Sequence, residues 1–326
     1  HFLRVRTATP SASIVATAEY DAAAGLMELQ EWLNAARVLD RFREAFPDDP
    51  RQAEVTRRLA TAYLAEKQPL KAAIELERIG HSQGDNKLRR EALLQAAELY
   101  SKAQQPEQSI AAYKDYISQF PQPVEIAVEA RSQIAKHYLT TGNMSQYHHW
   151  LQEIISADQQ AGVGRSDRTR YLGAKARFTL AEAAYESYRV LRLNLPLKKS
   201  LALKKRRMEQ ALRQYEQAAG YQVAAVTTAA TFRAAQIYTN LSEALLDSQR
   251  PEKLSGEALD QYDILLEEQA YPFEEQAISL HETNVRRMAA GMYDTWIEGS
   301  LQQLALLVPA RYAKLERSVS YVEAIH

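Results

Sequence analysis

The feature that most constrains this chain is a pattern of small, aromatic and aliphatic residues that returns at intervals of 37, 37 and 38 residues in its first half. Its columns are Ala23, Ala60, Ala97 and Ala135; Leu26, Tyr63, Tyr100 and Tyr138; Leu39, Leu76, Tyr113 and Leu151; and Phe42, Ile79, Tyr116 and Ile154. A single unit of this length cannot bury its apolar face, so copies must stack on one another. The pattern therefore predicts an array of similar units.

Each unit contains two amphipathic segments. In the stretch from Lys87 to Pro121, apolar residues recur every three or four positions on both sides of Pro106. This spacing places them on one stripe of a helix. A proline at the end of the stretch stops the second helix. Two short helices with a tight turn form a hairpin, and the small residues Ala97 and Ser109 let the two backbones approach.

The small, aromatic, small and proline columns resemble those of the tetratricopeptide repeat (TPR) family, whose usual period is about 34 residues. The units here are a few residues longer. The resemblance implies an all-α fold, a TPR-like α-solenoid of about seven antiparallel helical hairpins. It also implies a groove, lined by the first helix of each hairpin, that binds protein or peptide partners.

The second half of the chain differs, because it has few prolines and long helical patterns. Two glycines and a serine in the segment from Gly162 to Ser166 interrupt the repeats. We therefore predict an irregular lead-in at 1–13, four TPR-like hairpins at 14–161, longer helical hairpins that continue the solenoid at 165–308, and a C-terminal tail at 309–326. Pro272 is predicted to start a helix, since proline suits the first turn. Gly291 and Gly299 are predicted to separate the last helices.

Composition excludes several classes of protein. The 326 residues include no cysteine, so disulfides and thiolate metal sites are excluded, and the net charge of −1 gives no general attraction to nucleic acid. No stretch approaches the roughly 20 apolar residues of a transmembrane helix. The chain begins without methionine, and we expect it to be a mature or excised fragment, in which a removed signal or lipid anchor would leave no trace.

Charge is unevenly distributed along the second half. The segment 165–213 carries fourteen basic and four acidic residues, whereas 243–282 carries eleven acidic and two basic residues. The densest basic cluster is Lys198, Lys199, Lys204, Lys205, Arg206 and Arg207. Either adjacent helical layers pair these opposite charges, or the cluster is a docking patch for an acidic partner or anionic lipid headgroups. Few aromatic residues interrupt it, which argues against nucleic acid.

No catalytic motif is present. The chain has no phosphate-binding loop, no dinucleotide fingerprint and no nucleophile elbow. His148 and His149 lie near Glu153, but adjacent helical residues point about 100° apart, so one histidine at most shares a face with that carboxylate. We therefore predict no enzyme activity, no catalytic residue, no metal and no cofactor. An enzyme built on a helical array would need a deep pocket with clustered titratable groups.

The repeat register predicts which residues line the groove. They are Tyr20, Met27, Arg57, Thr61, Leu64, Glu98, Lys102, Lys136 and Leu139. Thr61 and Glu98 stand where the asparagines of a carboxylate-clamp groove are expected, which argues against recognition of a free C-terminus. Mixed polar and apolar side chains suit a helix or an extended peptide held by apolar anchors.

The segment from Tyr271 to Lys314 resembles the C-terminal segment of large envelope-associated TPR proteins of Gram-negative bacteria, including gliding-motility types encoded beside Tol-like or TonB-like motor components. The resemblance implies a periplasmic scaffold attached to an outer-membrane or energised envelope machine, with motor or outer-membrane components as partners. The alternative is a cytosolic TPR adaptor or regulator, encoded without an export signal.

Overall fold

A computed structural model describes residues 12–313. These residues form fourteen α-helices and two short 3-10 helices, and none of them lies in a β-strand. The all-α prediction is confirmed. The chain divides into two compact units, one made of the residues up to 153 with 161–164, the other of 154–160 with the residues from 165 onward. The predicted boundaries at 14–161 and 165–308 stay predictions.

The first unit consists of helices paired into hairpins. They are α1 (Ala12–Glu28), α2 (Trp32–Ala45), α3 (Gln52–Ala65), α4 (Pro69–Gly80), α5 (Asn86–Lys102), α6 (Pro106–Gln119), α7 (Val124–Thr140) and α8 (Met144–Gln159), the end of which belongs to the second unit. Each helix from α1 to α6 contacts the next along the chain. Within this unit the hairpins therefore stack as in an α-solenoid.

The turn inside each hairpin repeats at the same interval as the core. A residue with positive φ ends the first helix of every hairpin, and these residues are Gln30, Lys67, Gln104 and Gly142. At Lys67, the amide of the next residue donates to Tyr63 O at 2.9 Å and that of Lys67 to Leu64 O at 3.1 Å. This pair of bonds is a Schellman motif, which satisfies the last carbonyls of the helix. Three of the four hairpins make it without glycine.

These left-handed residues give a prediction about stability. A side chain in the left-handed region is disfavoured by about 1–2 kcal/mol, and glycine removes that strain at some entropic cost in the unfolded chain. We expect Lys67→Gly to raise the free energy of unfolding by about 0.5–1 kcal/mol in urea titrations. Lys67→Ala keeps a Cβ and should bring no such gain. Equal effects of glycine and alanine would contradict this explanation.

Tyrosines join consecutive hairpins. The hydroxyl of Tyr63 donates to Asp40 of the preceding hairpin at 2.5 Å, and Tyr100 donates to Glu77 at 2.6 Å, 37 residues further on. The small residues of the first column are buried, with Ala97 fully inaccessible. The repeated columns are thus contacts within and between hairpins, as their spacing predicts.

The second unit is built around one central helix. Its helices are α9 (Asp167–Arg189), α10 (Leu197–Ala219), α11 (Ala224–Leu246), α12 (Glu257–Arg286), α13 (Thr295–Leu307) and α14 (Pro309–Tyr312). Helix α11 contacts α9, α10, α12 and α13. The core contains buried Tyr188, Tyr215, Ile237 and Leu241. The longer helices predicted for the second half are confirmed.

Two sequence-based predictions in this unit are wrong. Pro272 does not start a helix but lies inside α12, which runs for 30 residues. Proline removes one backbone donor, yet Ala270 and Ala277 are buried on either side of it, so packing holds the helix continuous. Gly299 lies within α13 rather than ending a helix. A Cβ there would stand 3.0 Å from Phe232 Cε2, so this glycine serves close packing.

The ends of the chain are partly described. Residues 1–11 of the predicted lead-in lie outside the described range, and Ala12 begins α1. Pro309–Tyr312, in the predicted tail, form the short helix α14, whereas 314–326 fall outside that range. Among the helices that are described, none combines the length and apolar character needed to cross a membrane.

Candidate functional site

The predicted groove residues lie on the first helices α1, α3, α5 and α7. Most are exposed: Arg57, Thr61, Leu64, Glu98, Lys102, Lys136 and Leu139. Leu64 is 37% and Leu139 47% exposed, although both are large and apolar. Tyr20 and Met27 are only partly buried. Such a face can contact a partner without unfolding any hairpin.

Tyr20 is less available than its neighbours. Its ring lies 4.7 Å from the guanidinium carbon of Arg58 and 5.1 Å from that of Arg51, both from the next hairpin or the turn before it. The ring centroid is also 6.0 Å from that of Phe42. Tyr20 therefore helps to pack the first two hairpins together, a role that spacing alone does not reveal.

The polar candidates differ in how they are held. Arg57 pairs with Glu54 of its own helix at 2.5 Å, and the hydroxyl of Thr61 donates to Arg57 O at 3.1 Å. Glu98 and Lys102 lie one turn apart on α5 but form no ion pair within residues 12–313. Their charges therefore remain open to an incoming partner.

A concavity of about 370 Å³ lies between α5 and α7, where Lys136 is one wall and Ser101 the other. The remaining lining residues are Gln104, Pro106, Gln133, His137, Thr140 and Thr141. The structure thus brings first helices of consecutive hairpins together around one predicted residue. The small hydroxyl and amide side chains that line this concavity can form hydrogen bonds with a peptide backbone.

One contact beside this concavity resembles a nucleophile and its base. His137 Nε2 lies 3.0 Å from the oxygen of Ser109, but the Ser109 hydroxyl donates to Ala97 O at 2.8 Å. The histidine nitrogen must then be the donor, which is the reverse of what a general base requires. Burial lowers the pKa of His137, helped by the nearby charge of Lys136. Ser109 is also fully buried, so the pair joins the third hairpin to the fourth.

The basic cluster on α10 is only partly a surface patch. Lys198, Lys199, Arg206 and Arg207 are exposed, and Lys205 is partly buried with its Nζ 5.3 Å from the centre of the Phe273 ring. None of the six cations, Lys204 included, pairs with an acidic residue of 243–282 in the part of the chain that the structure describes. The docking patch therefore stays a prediction for the exposed members.

Lys204 is a correction to that patch, because it is 1% exposed. Its Nζ donates to Leu191 O at 2.7 Å and to Asn240 Oδ1 at 2.9 Å, and lies 4.5 Å from the centre of the Tyr188 ring. Burial lowers the pKa of this ammonium to about 8. The amine holds the segment before α10 against α11 and is not available for docking.

The sequence contains a signal for the burial of Lys204. The residues buried on α10 are Lys204, Met208, Ala211, Tyr215 and Ala218, spaced by four and three in turn. Lys204 therefore continues the apolar stripe of its helix, whereas its charged neighbours fall outside it. The prediction grouped Lys204 with the neighbouring cations by charge and did not take this periodicity into account.

Three side chains that the sequence analysis did not group together meet in the first unit. Glu77, His81 and Asp115 each offer a ligand atom, and these atoms lie within 4.8 Å of one another. The prediction that no metal binds was argued from histidines beside carboxylates on one helix. Asp115, however, comes from a different hairpin than Glu77 and His81. Extending the repeat columns to their polar neighbours would have placed these residues together. His148, His149 and Glu153 form no such group in the described range.

Comparisons with known proteins do not assign a family. No protein-family model and no curated protein matches the chain. A tetratricopeptide repeat protein from Parabacteroides merdae is 14% identical, with 88% of this chain and 97% of that one covered at a TM-score of 0.33. The C-terminal part of a TPR repeat-containing protein from Cytophaga hutchinsonii is 12% identical, with coverage of 90% and 97% and a TM-score of 0.36.

Proposed function

We propose that this chain is a non-catalytic scaffold that binds a segment of a partner protein along the first helices of its repeats. The observation that carries the proposal is the row of exposed side chains on α3, α5 and α7, with Leu64 and Leu139 uncovered near its two ends. Large apolar residues on such a face can act as anchors, and the charged residues between them give orientation. The partner is a helix or an extended segment with its own apolar anchors.

We place this scaffold in the bacterial cell envelope, on the periplasmic side, as part of a machine with motor or outer-membrane components. The support is the resemblance of Tyr271–Lys314 to envelope-associated TPR proteins. In its described range, 271–313, this segment belongs to the second unit, where Asn284 donates to Thr228 O at 3.0 Å. It also exposes Tyr293 by 63% and Leu306 by 74%, so part of it can contact another protein. The second candidate is a cytosolic adaptor with the same groove.

The test removes one cation and one apolar anchor from the groove. We expect Arg57→Ala with Leu64→Ala to weaken partner binding by about tenfold or more, because both contacts are lost together. The free energy of unfolding should change by less than about 1 kcal/mol, since the Arg57 pair is exposed and such pairs contribute little. Binding is measured by pull-down from a Gram-negative envelope fraction and by titration of the recovered protein, and stability by thermal unfolding.

A matched control exists on the second helix of the same hairpin. Leu70 is 39% exposed, and Arg78 pairs with Glu75 three residues earlier, as Arg57 pairs with Glu54. Leu70→Ala with Arg78→Ala thus removes the same groups from another face and should leave binding unchanged. Equal losses in both double variants would refute the groove assignment. Recovery of cytosolic proteins alone would refute the envelope setting and favour the adaptor.

A further inference from the structure

The carboxylates of Glu77 and Asp115 meet His81 where the second and third hairpins join. Glu77 lies on α4, His81 follows the last residue of that helix, and Asp115 lies on α6. Residues four apart share one face of a helix, so Glu77 and His81 point in the same direction. Asp115 Oδ2 is 3.4 Å from His81 Nε2. We propose that these three side chains bind a zinc ion that links the two hairpins.

The distances suit the ion. Zinc binds imidazole nitrogen and carboxylate oxygen at about 2.0–2.2 Å, so two ligands of a tetrahedral site stand about 3.3–3.5 Å apart. The separation between His81 and Asp115 already has this value, and the full set spans no more than 4.8 Å. The side chain of His81 is 45% exposed, which leaves it room to turn toward the shared centre. One nitrogen and two oxygens form a donor set that divalent zinc accepts.

A second-layer contact holds one ligand in place. The Tyr100 hydroxyl donates to Glu77 Oε2 at 2.6 Å. Hydrogen bonds of this kind orient metal-binding carboxylates, and their loss weakens metal affinity by about 10–100-fold. Neither Glu77 nor Asp115 forms a salt bridge with a lysine or arginine anywhere in residues 12–313. Their two negative charges therefore converge without a lysine or arginine that pairs with them.

The neighbouring junctions provide an internal comparison. In the repeat register, the position of Asp115 is occupied at the preceding junction by Arg78. At the following junction, Lys114 occupies the position of Glu77. The register therefore puts an arginine or a lysine at one of the three corresponding positions on each side, and its charge would oppose a metal ion there. The middle junction has a histidine and two carboxylates instead, which is the composition that a cation site requires.

Zinc binding by the full chain tests this site independently of the scaffold proposal. We expect isothermal titration to find one zinc per chain, cobalt to give the visible absorption of a low-coordinate site, and zinc to raise the unfolding temperature. His81→Ala and Asp115→Asn should each weaken zinc binding by about 100-fold or more, and Tyr100→Phe by about tenfold. Circular dichroism without zinc should match that of the wild type for His81→Ala and Asp115→Asn, whose side chains are partly exposed.

The control is His148→Ala with His149→Ala, which removes the adjacent histidines on α8. This variant should bind zinc as the wild type does. Loss of binding in the control, with binding retained in His81→Ala, would overturn the proposal and place the ion on the histidine pair. Absence of stoichiometric zinc binding by the wild type would also overturn it.

Discussion

Replacement of Ala97 by tryptophan should destabilise the protein by about 3 kcal/mol, because the new side chain has no space in the third hairpin. Ala97 is fully buried on α5, and its carbonyl accepts the hydrogen bond from Ser109 of α6 at 2.8 Å. The two helices are therefore in close contact at this point. A tryptophan must push α6 away and break that bond. In a repeat array the loss extends to the interfaces with the flanking hairpins.

Glu98→Trp is the matched control, since the same bulky residue then stands one position further along, where the side chain is exposed. We expect its unfolding temperature to stay near that of the wild type, whereas that of Ala97→Trp falls by about 10 °C. Partner binding should fall more in Glu98→Trp than in Ala97→Trp, because Glu98 lies on the predicted groove. Similar unfolding temperatures of the two variants would contradict the hairpin packing described for Ala97.

The repeated columns made the first unit predictable from sequence, because they encode local contacts that recur. Ala97, Tyr100 and Ser109 have the burial or the partner that their spacing implies. The proline that ends the stretch from Lys87 to Pro121 was expected to stop a helix, and α6 ends at Gln119. The exposed face of α3 also follows from register, because residues that do not face the hairpin partner face outward. Its role in binding stays a prediction.

The second unit was less predictable because its helices lack a repeat and are held by contacts distant in sequence. Pro272 reads as a helix start when only its neighbours are considered, but packing against α11 decides the outcome. The approach of His81 to Asp115 likewise depends on how two hairpins stack. His281 is fully buried in contact with Phe232, and burial lowers its pKa to about 4. No local pattern indicates that environment.

The assignment of Lys204 to the docking patch, which its burial contradicts, can be tested by varying the pH. Its folded-state pKa of about 8 lies below the ordinary value of 10.5. Between these two values the unfolded chain binds more protons at this position than the folded chain does, so the free energy of unfolding rises with pH. Over the whole interval the gain is about 3 kcal/mol. An exposed lysine in a docking patch would give almost none.

The measurement compares the wild type with Lys204→Met, a side chain of similar length without a titrating group. Between pH 7 and 9.5 we expect the free energy of unfolding of the wild type to rise by about 2 kcal/mol relative to the variant, measured by urea titration at each pH. Tyrosines and the other lysines are common to both proteins, so their titration cancels. Parallel pH profiles would show that burial does not lower the folded-state pKa of Lys204 and would contradict this prediction.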